Sequence, residues 1–389
     1  MENSRIDKVE WIGMLTGPDS LNADICKRAN VGGTDLGFPV YVDSCKKTFL
    51  FFGDTFLEKM KGLWRSNVCA YASTEKVNGL FRFDGFLADE GSESAKVIVD
   101  SPHVVCDERT KIPTGGICVD GVIYMFFFSK YAWVANGVPR DKSMNFGGAV
   151  KSSDFGKTWE RVHDLTWFDH GKTPDDPMHG NKIERLKELA MQETNLKNSG
   201  KDIDFDAHVG YYFTQIYPVD GRDGYIYIFG EGGYRSSGIK LGRVKKDISH
   251  IENFEEYSYF NGFDESGKPV WLKGSKGLNT VCGNDGAFVV GGACGEHTCV
   301  YNEYLKKWML VYTRPKDQIA YTVADSIWGK YEEPQKLIDS TYPFPNKDIS
   351  IYGGFTHQNW TEENGKVFYF IMSQYDIAYN SSMVKVTLK

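Results

Sequence analysis

Five similar stretches recur along the chain, and no other feature limits its possible folds so strongly. They are its most apolar runs: Thr48–Phe56 (TFLFFGDTF), Val122–Lys130 (VIYMFFFSK), Tyr225–Gly233 (YIYIFGEGG), Lys307–Pro315 (KWMLVYTRP) and Val367–Tyr375 (VFYFIMSQY). Their starts lie 74, 103, 82 and 60 residues apart. Each run is rich in β-branched and aromatic residues. Each follows a turn-forming cluster: Asp43-Ser44, Asp120-Gly121, Asp220-Gly221, Asn302-Glu303 and Glu363-Asn364-Gly365. Apolar runs bounded in this way predict hairpins.

A strand-like segment precedes each turn, at Phe38–Val42, Gly116–Val119, Val209–Tyr217, Thr298–Tyr301 and Gly354–Trp360. A third strand follows each apolar run, at Cys69–Glu75, Gly148–Asp154, Leu241–Asp247, Ala320–Ser326 and Met383–Lys389. Four units continue into a fourth strand, at Lys96–Asp100, Trp159–Val162, Glu256–Phe260 and Tyr331–Leu337. The fifth unit reaches Lys389 without one, and the unassigned N-terminal segment Lys8–Leu15 can supply it. The prediction is an all-β chain: one five-bladed β-propeller domain over residues 1–389, its last blade closed by the N-terminal strand. Borrowing that strand removes a sheet edge. The polar segment Asp164–Asp206 falls outside the pattern. Within it Asn181–Gln192 carries Ile183, Leu186, Leu189 and Ala190 at helical spacing, so a partly helical insertion near 164–206 is expected.

Composition agrees. The 389 residues are 14% aromatic and include 41 Gly against 13 Pro, a mixture suited to many short strands and turns. A net charge of -7 without a basic stripe argues against nucleic acid as a partner. No apolar run approaches the roughly 18 residues of a membrane span. The eight Cys are scattered without a C-x-x-C pair, which fits reduced thiols. No secretory pattern is visible in Met1–Lys8. A cytoplasmic location is the default expectation, and an extracellular one follows if a leader has been removed.

In a propeller blade the first strand runs one way and the second returns. The start of strand one and the end of strand two therefore share a rim of the channel. Before the first strands lie Thr34-Asp35, Thr114-Gly115-Gly116, Asp206-Ala207-His208, Glu296-His297 and Thr356-His357. After the second strands lie Asp54-Thr55, Ser129-Lys130, Glu231-Gly232, Arg314 and Gln374-Tyr375. This rim gathers acids, His and Arg, whereas the other holds turn residues with a structural reason to be there. The candidate site is therefore placed on the first rim.

Asp35 (in GGTDLG) and Asp54 (in FFGDTF) belong to one blade and form the candidate catalytic pair. Glycoside hydrolysis needs two carboxylates: one protonates the leaving oxygen, and the other acts as nucleophile or activates water. Either Asp could instead cap backbone N–H groups. Thr34, Trp64, Arg65, Asn67, His208, Glu231, Arg235, Glu296, His297, His357, Tyr375, Tyr379 and Asn380 are candidate substrate-binding residues. The three His could alternatively meet a metal, although the assignment adopted has neither metal nor cofactor. Trp133, Tyr234 and Trp360 are further rings able to stack on sugars. Ser152–Trp159 matches S-x-D-x-G-x-T-W, the Asp-box hairpin, in which the Asp braces its own turn.

GGTDLG, FFGDTF, WRSN (Trp64–Asn67), IPTGG (Ile112–Gly116), the Asp-box segment, YIYIFGEGGYR (Tyr225–Arg235) and Tyr379-Asn380 together resemble a bacterial five-bladed propeller family. That family was long catalogued as a domain of unknown function and is now associated with endo-D-arabinanases acting on mycobacterial arabinogalactan and lipoarabinomannan. The resemblance spans nearly the whole chain. It implies a glycoside hydrolase acting on a furanosidic polysaccharide in the manner of an endo-D-arabinanase, with its acidic pair at Asp35 and Asp54. Two alternatives remain open. A sialidase-like hydrolase would use Arg65, Arg235 and Arg314 to clamp a carboxylate, but its Arg-Ile-Pro signature is absent. A non-catalytic carbohydrate-binding propeller would bind glycan without cutting it.

Overall fold

Each apolar run forms the second strand of its own antiparallel sheet. Long aromatic and β-branched side chains pack well on a pleated surface covered on both faces. The computed structural model describes residues 4–170, 182–192, 196, 203–343, 349–376 and 378–389, and the fold is a five-bladed β-propeller. The first strand is β1 (Ile6–Met14). Blade one comprises β2 (Gly33–Val42), β3 (Lys47–Phe56), β4 (Val68–Ala72) and β5 (Gly85–Phe86). Blade two comprises β6 (Thr110–Val119), β7 (Val122–Lys130), β8 (Met144–Ser152) and β9 (Glu160–Phe168). Blade three comprises β10 (Gln215–Asp220), β11 (Tyr225–Glu231), β12 (Lys240–Lys245), β13 (Ser258–Phe263) and β14 (Pro269–Lys273). Blade four comprises β15 (His297–Asn302), β16 (Lys307–Arg314), β17 (Gln318–Ala324) and β18 (Gln335–Ile338). Blade five comprises β19 (Ile351–Glu362), β20 (Val367–Gln374) and β21 (Asn380–Leu388), with β1 as its outer strand. That strand pairs with β21 from Ile6 opposite Leu388 to Met14 opposite Ser382, as the missing fourth strand predicted.

Several expected boundaries differ. Blade one takes its fourth strand from Gly85–Phe86, not Lys96–Asp100. Ile98 and Val99 are buried, but Ile98 N donates to the Asn67 side chain at 2.9 Å instead of a ladder. A short apolar run reads alike in either setting. Blade three carries a fifth strand, and its first strand begins at Gln215 after a 3-10 turn at Tyr211–Phe213. Strand β9 runs to Phe168, so Asp164–Phe168 belong to blade two. In the polar segment, α-helix Ile183–Met191 buries Leu186, Leu189 and Ala190 and leaves Ile183 exposed. Asn181 and the rest of that segment's unassigned positions lie outside the described residues. No helix among the described residues is long and apolar enough to cross a membrane.

The blades fall into two compact units, Met1–Ile98 with Gly295–Lys389, and Val99–Cys294. The first holds blades one, four and five. Met309, Val311 and Tyr321 of blade four pack with Phe368, Phe370 and Met372 of blade five. Phe38 of blade one meets Phe355 of blade five at 6.3 Å between ring centroids. The second unit holds blades two and three, joined by Phe126 and Trp167 on one side and Ile216, Ile228 and Tyr259 on the other.

Removing residues 4–14 takes β1 away and leaves β21 as an open edge. The expected result is an unfolding temperature lower by roughly 5–10 °C, from a loss of a few kcal/mol, with self-association. Differential scanning fluorimetry and size-exclusion chromatography check both.

Candidate active site

Strands β2 and β3 pair regularly except where the two Asp residues stand. Gly33 opposes Phe56 and Thr34 opposes Thr55, but the next pair is Leu36 with Phe52 and the next Phe38 with Phe51. Asp35 therefore sits within a register shift, with Gly53 and Asp54 across from it. Such bulges re-aim side chains and cluster at functional sites. Leu36 and Gly37 adopt φ of 65° and 107°, which suits the glycine and strains the leucine. Blade five holds the kink in place: Leu36 N donates to Ser373 Oγ at 2.8 Å, and Ser381 Oγ donates to Leu36 O at 2.8 Å. Gly53 leaves the necessary room, since a Cβ there would lie 2.4 Å from Asp35 Oδ1.

Asp35 is 8% exposed and Asp54 6%. The Tyr352 hydroxyl donates to Asp35 Oδ2 at 2.8 Å. Burial, and then the neighbouring charge of Asp54, push the Asp35 carboxyl up to about 7; the Glu296 charge adds to this, while the hydroxyls of Tyr352 and Tyr379 oppose it. Asp54 Oδ1 accepts from Trp64 Nε1 at 2.9 Å. The Trp64 ring stacks on Phe56 at 5.7 Å, Phe56 meets Tyr379 edge-on at 5.8 Å, and Tyr379 meets Tyr375 at 6.0 Å. Tyr375 is 44% exposed and ends this aromatic row at the surface. The result is a proton-holding acid beside a second acid whose orientation is fixed, with an accessible ring nearby.

Of the residues predicted from sequence, Asp35, Asp54, Trp64, Glu296, Tyr375 and Tyr379 come together in this unit. Thr34 joins them as a support: its hydroxyl pairs with Thr55 Oγ1 at 2.6 Å, and its N donates to Tyr379 O. Arg65 does not serve the role expected of it. Its buried guanidinium donates to the carbonyls of Ala95 at 2.8 Å, Ala29 at 3.3 Å and Asn30. That placement denies it to a sugar or to a sialidase-like clamp. Asn67 accepts from Ile98 N, and Asn380 accepts from Thr16 Oγ1 at 3.0 Å, so both act in the framework. His297 Nδ1 lies 2.8 Å from the carbonyl of Gly295, two residues before it.

His357 requires a correction. Strand β19 begins at Ile351, which pairs with Gln374 at the end of β20. Thr356, just before His357, pairs with Phe370, four residues back along β20, so His357 stands past a point roughly 13 Å along the blade at about 3.3 Å per residue. Tyr352 occupies the rim position instead, and the sequence-based strand start, three residues late, hid it. Ser373 was hidden differently, as one small residue at the end of a long apolar strand.

His208, Glu231 and Arg235 belong to the other unit. His208 stacks on Phe254 at 3.8 Å between centroids, and its Nδ1 lies 2.9 Å from Thr166 O. Glu231 ends β11, fully buried, and accepts from Ser236 N at 3.2 Å. In the β8–β9 turn, Asp154 accepts from Ser152 Oγ, Thr158 N and Thr158 Oγ1. Its oxygens are thus engaged within the turn. Among the described residues, no three His, Cys, Asp or Glu side chains are grouped to hold a metal ion.

The family model described as "Domain of unknown function (DUF4185)" matches residues 21–385. A candidate hydrolase from Bacteroides ovatus has a similar structure, with a TM-score of 0.55 and 11% identity over 99% of this chain and 96% of that one. An arabinanase of Bacillus subtilis matches with a TM-score of 0.44 and 13% identity, covering 91% of this chain and 96% of that one. An exo-β-1,3-galactanase from Clostridium thermocellum matches with a TM-score of 0.42 and 9% identity, covering 91% and 62%. The first likeness shows the fold alone. No curated protein matches the sequence.

A raised carboxyl costs stability as it ionises. Folded Asp35 holds its proton up to about 7, whereas the unfolded group loses it near 3.8. Wild-type stability should therefore fall as pH rises between these values. Asp35→Asn mimics the protonated form, so its unfolding temperature should exceed wild type at pH 8 and match it near pH 4. Thermal melts across pH check this, and an equal difference at both ends would refute it.

Proposed function

We propose that this chain, which belongs to the DUF4185 family, is a glycoside hydrolase cleaving a furanosidic polysaccharide in the manner of an endo-D-arabinanase. The observation that carries the proposal is the Asp35 carboxyl, held to about 7 by burial and by the Asp54 charge, on the strand paired with that of Asp54. An acid protonated at neutral pH can give its proton to the leaving glycosidic oxygen as the bond to the anomeric carbon breaks. An ionised partner meets the positive charge developing on that carbon, directly or through a water that it deprotonates. Asp35 takes the first role and Asp54 the second. The Trp64 N–H fixes Asp54, and the exposed Tyr375 ring offers a face for a sugar. The choice of D-arabinan rests on the likeness of GGTDLG, FFGDTF and WRSN to the endo-D-arabinanase family.

Digestion of purified arabinogalactan with detection of new reducing ends tests the proposal, with galactan and xylan as comparison substrates. Asp35→Asn and Asp54→Asn should each lower turnover about 10³-fold while the protein remains folded. Near-wild-type turnover in either variant would overturn the assignment. Saturable glycan binding without new reducing ends would identify a non-catalytic binding propeller.

The pH profile gives a second, signed test. With Asp35 as the acid, activity should fall above about pH 7 as its proton is lost. Tyr352→Phe removes a bond that favours the carboxylate, so the alkaline limb should move to higher pH. Glu296→Gln removes a neighbouring negative charge, so the limb should move to lower pH. Shifts of the same sign in both variants would exclude Asp35 as the titrating group.

A further inference from the structure

The unit Val99–Cys294 contains a polar constellation that the acid pair does not use. Lys130, at the end of β7, is 1% exposed, and its Nζ donates to Ser143 Oγ at 2.6 Å. That Nζ lies 3.5 Å from the centroid of the Tyr234 ring and 5.0 Å from that of Trp133. Arg235, Glu231 and Asp169 are near enough to act on its charge. Trp133 and Tyr234 meet edge to face at 5.6 Å, and the Arg235 guanidinium lies 4.9 Å from the Tyr234 ring. Trp133, Tyr234 and Arg235 are all half-buried, so a corner of aromatic surface and one cation remain accessible.

Two observations call for a ligand. Gly233, Tyr234 and Arg235 have φ of 63°, 48° and 62°, three successive left-handed residues of which two bear side chains. Strain of this kind persists where a site requires it, and here it lays the Tyr234 ring over Lys130. The second observation is a pair of buried oxygens without a hydrogen-bond partner. Asp169, 3% exposed, has no hydrogen-bond partner for Oδ2. Gln215, fully buried and opposite Glu231 in the β10–β11 ladder, has none for Oε1. Buried polar atoms are rarely left unpaired: Gln215 Oε1 lacks a donor, and the Asp169 carboxyl, which burial holds well above the usual carboxylate range, can give a hydrogen bond as well as accept one.

We propose that this constellation is a glycan-binding subsite that takes one neutral sugar residue, its ring against the Trp133–Tyr234 corner and its hydroxyls bonding to Asp169 and donating to Gln215 while accepting from Arg235. A polyol supplies the missing donors and acceptors together. Glu231 stands against the Arg235 charge around Lys130, so an anion gains no net attraction, and an apolar ligand would leave the buried oxygens unpaired. The subsite rests on the glycoside-hydrolase assignment for the choice of probe.

The test uses the full chain carrying Asp35→Asn and Asp54→Asn, so that nothing is cleaved, titrated calorimetrically with oligosaccharides from partly hydrolysed arabinogalactan. Trp133→Ala and, separately, Arg235→Asn are then introduced; Asn is chosen because it tolerates positive φ. Each should raise Kd about tenfold with the unfolding temperature nearly unchanged. Kd values within about twofold of the parent in both variants, or no saturable binding by the parent, would overturn the subsite. If the wild type cuts no glycan but the parent binds and Trp133→Ala abolishes binding, the subsite stands and the hydrolase assignment fails. If the wild type cuts glycan but binding is indifferent to both variants, the hydrolase assignment stands and the subsite fails.

Discussion

A carboxylate buried beside another carboxylate must find a cation or keep its proton. Asp35 is in that position. The groups acting on it are two more acids, Asp54 and Glu296, and two hydroxyls, Tyr352 and Tyr379. The guanidinium closest in sequence to Asp54, that of Arg65, turns instead to the backbone carbonyls of Ala29, Asn30 and Ala95. Proton retention follows, and the local structure follows from the need to hold such an acid. The register shift brings Asp35 and Asp54 to one place, and Gly53 keeps the space free of a side chain. Leu36 would otherwise leave its N–H and C=O unpaired in a buried kink, an expensive outcome. Ser373 and Ser381 satisfy both.

The second unit solves the same problem differently. Strand β3 places Asp54 near its end, β7 ends in Lys130 and β11 ends in Glu231. In each case the end of a second strand carries a buried ionisable residue. Lys130, however, has both acids and an arginine around it, two aromatic faces and a serine acceptor. Burial and the Arg235 charge pull its ammonium well below the ordinary lysine range, against the opposing Glu231 and Asp169 charges. Burial drives the Lys130 amine and the Asp169 carboxyl alike toward their neutral forms, which together with the ring surface suits the holding of a neutral ligand. Like charge without a cation suits the holding of a proton.

The propeller was legible because its signal is repeated. Five apolar runs with matched turns set the second strands within a residue or two of their observed limits, and the absent fourth strand of the last unit called for β1. First strands were harder. They carry glycines and polar residues where they approach a site, so Gly354 looked like a beginning although β19 starts at Ile351. That three-residue error put His357 on the rim in place of Tyr352. Side-chain roles were harder still. Arg65, Asn67 and Asn380 stand beside site motifs, yet their polar atoms serve backbone or framework partners. Sequence proximity does not reveal which way a guanidinium turns.

The same hydrogen bonds tie the completion of blade five to the acid pair. Tyr352, Ser373 and Ser381 lie on β19, β20 and β21, three successive strands of blade five. Between them they hold one oxygen of Asp35 and both backbone groups of Leu36. The outermost of the three, β21, is paired on its far side by β1. Loosening β1 would therefore loosen Ser381 first, then the Leu36 carbonyl, and so the bulge that aims Asp35. A strand that contributes no side chain to the acid pair still sets how firmly that pair is held, because a bulged ladder keeps its shape only as long as its neighbours satisfy the groups it leaves unpaired.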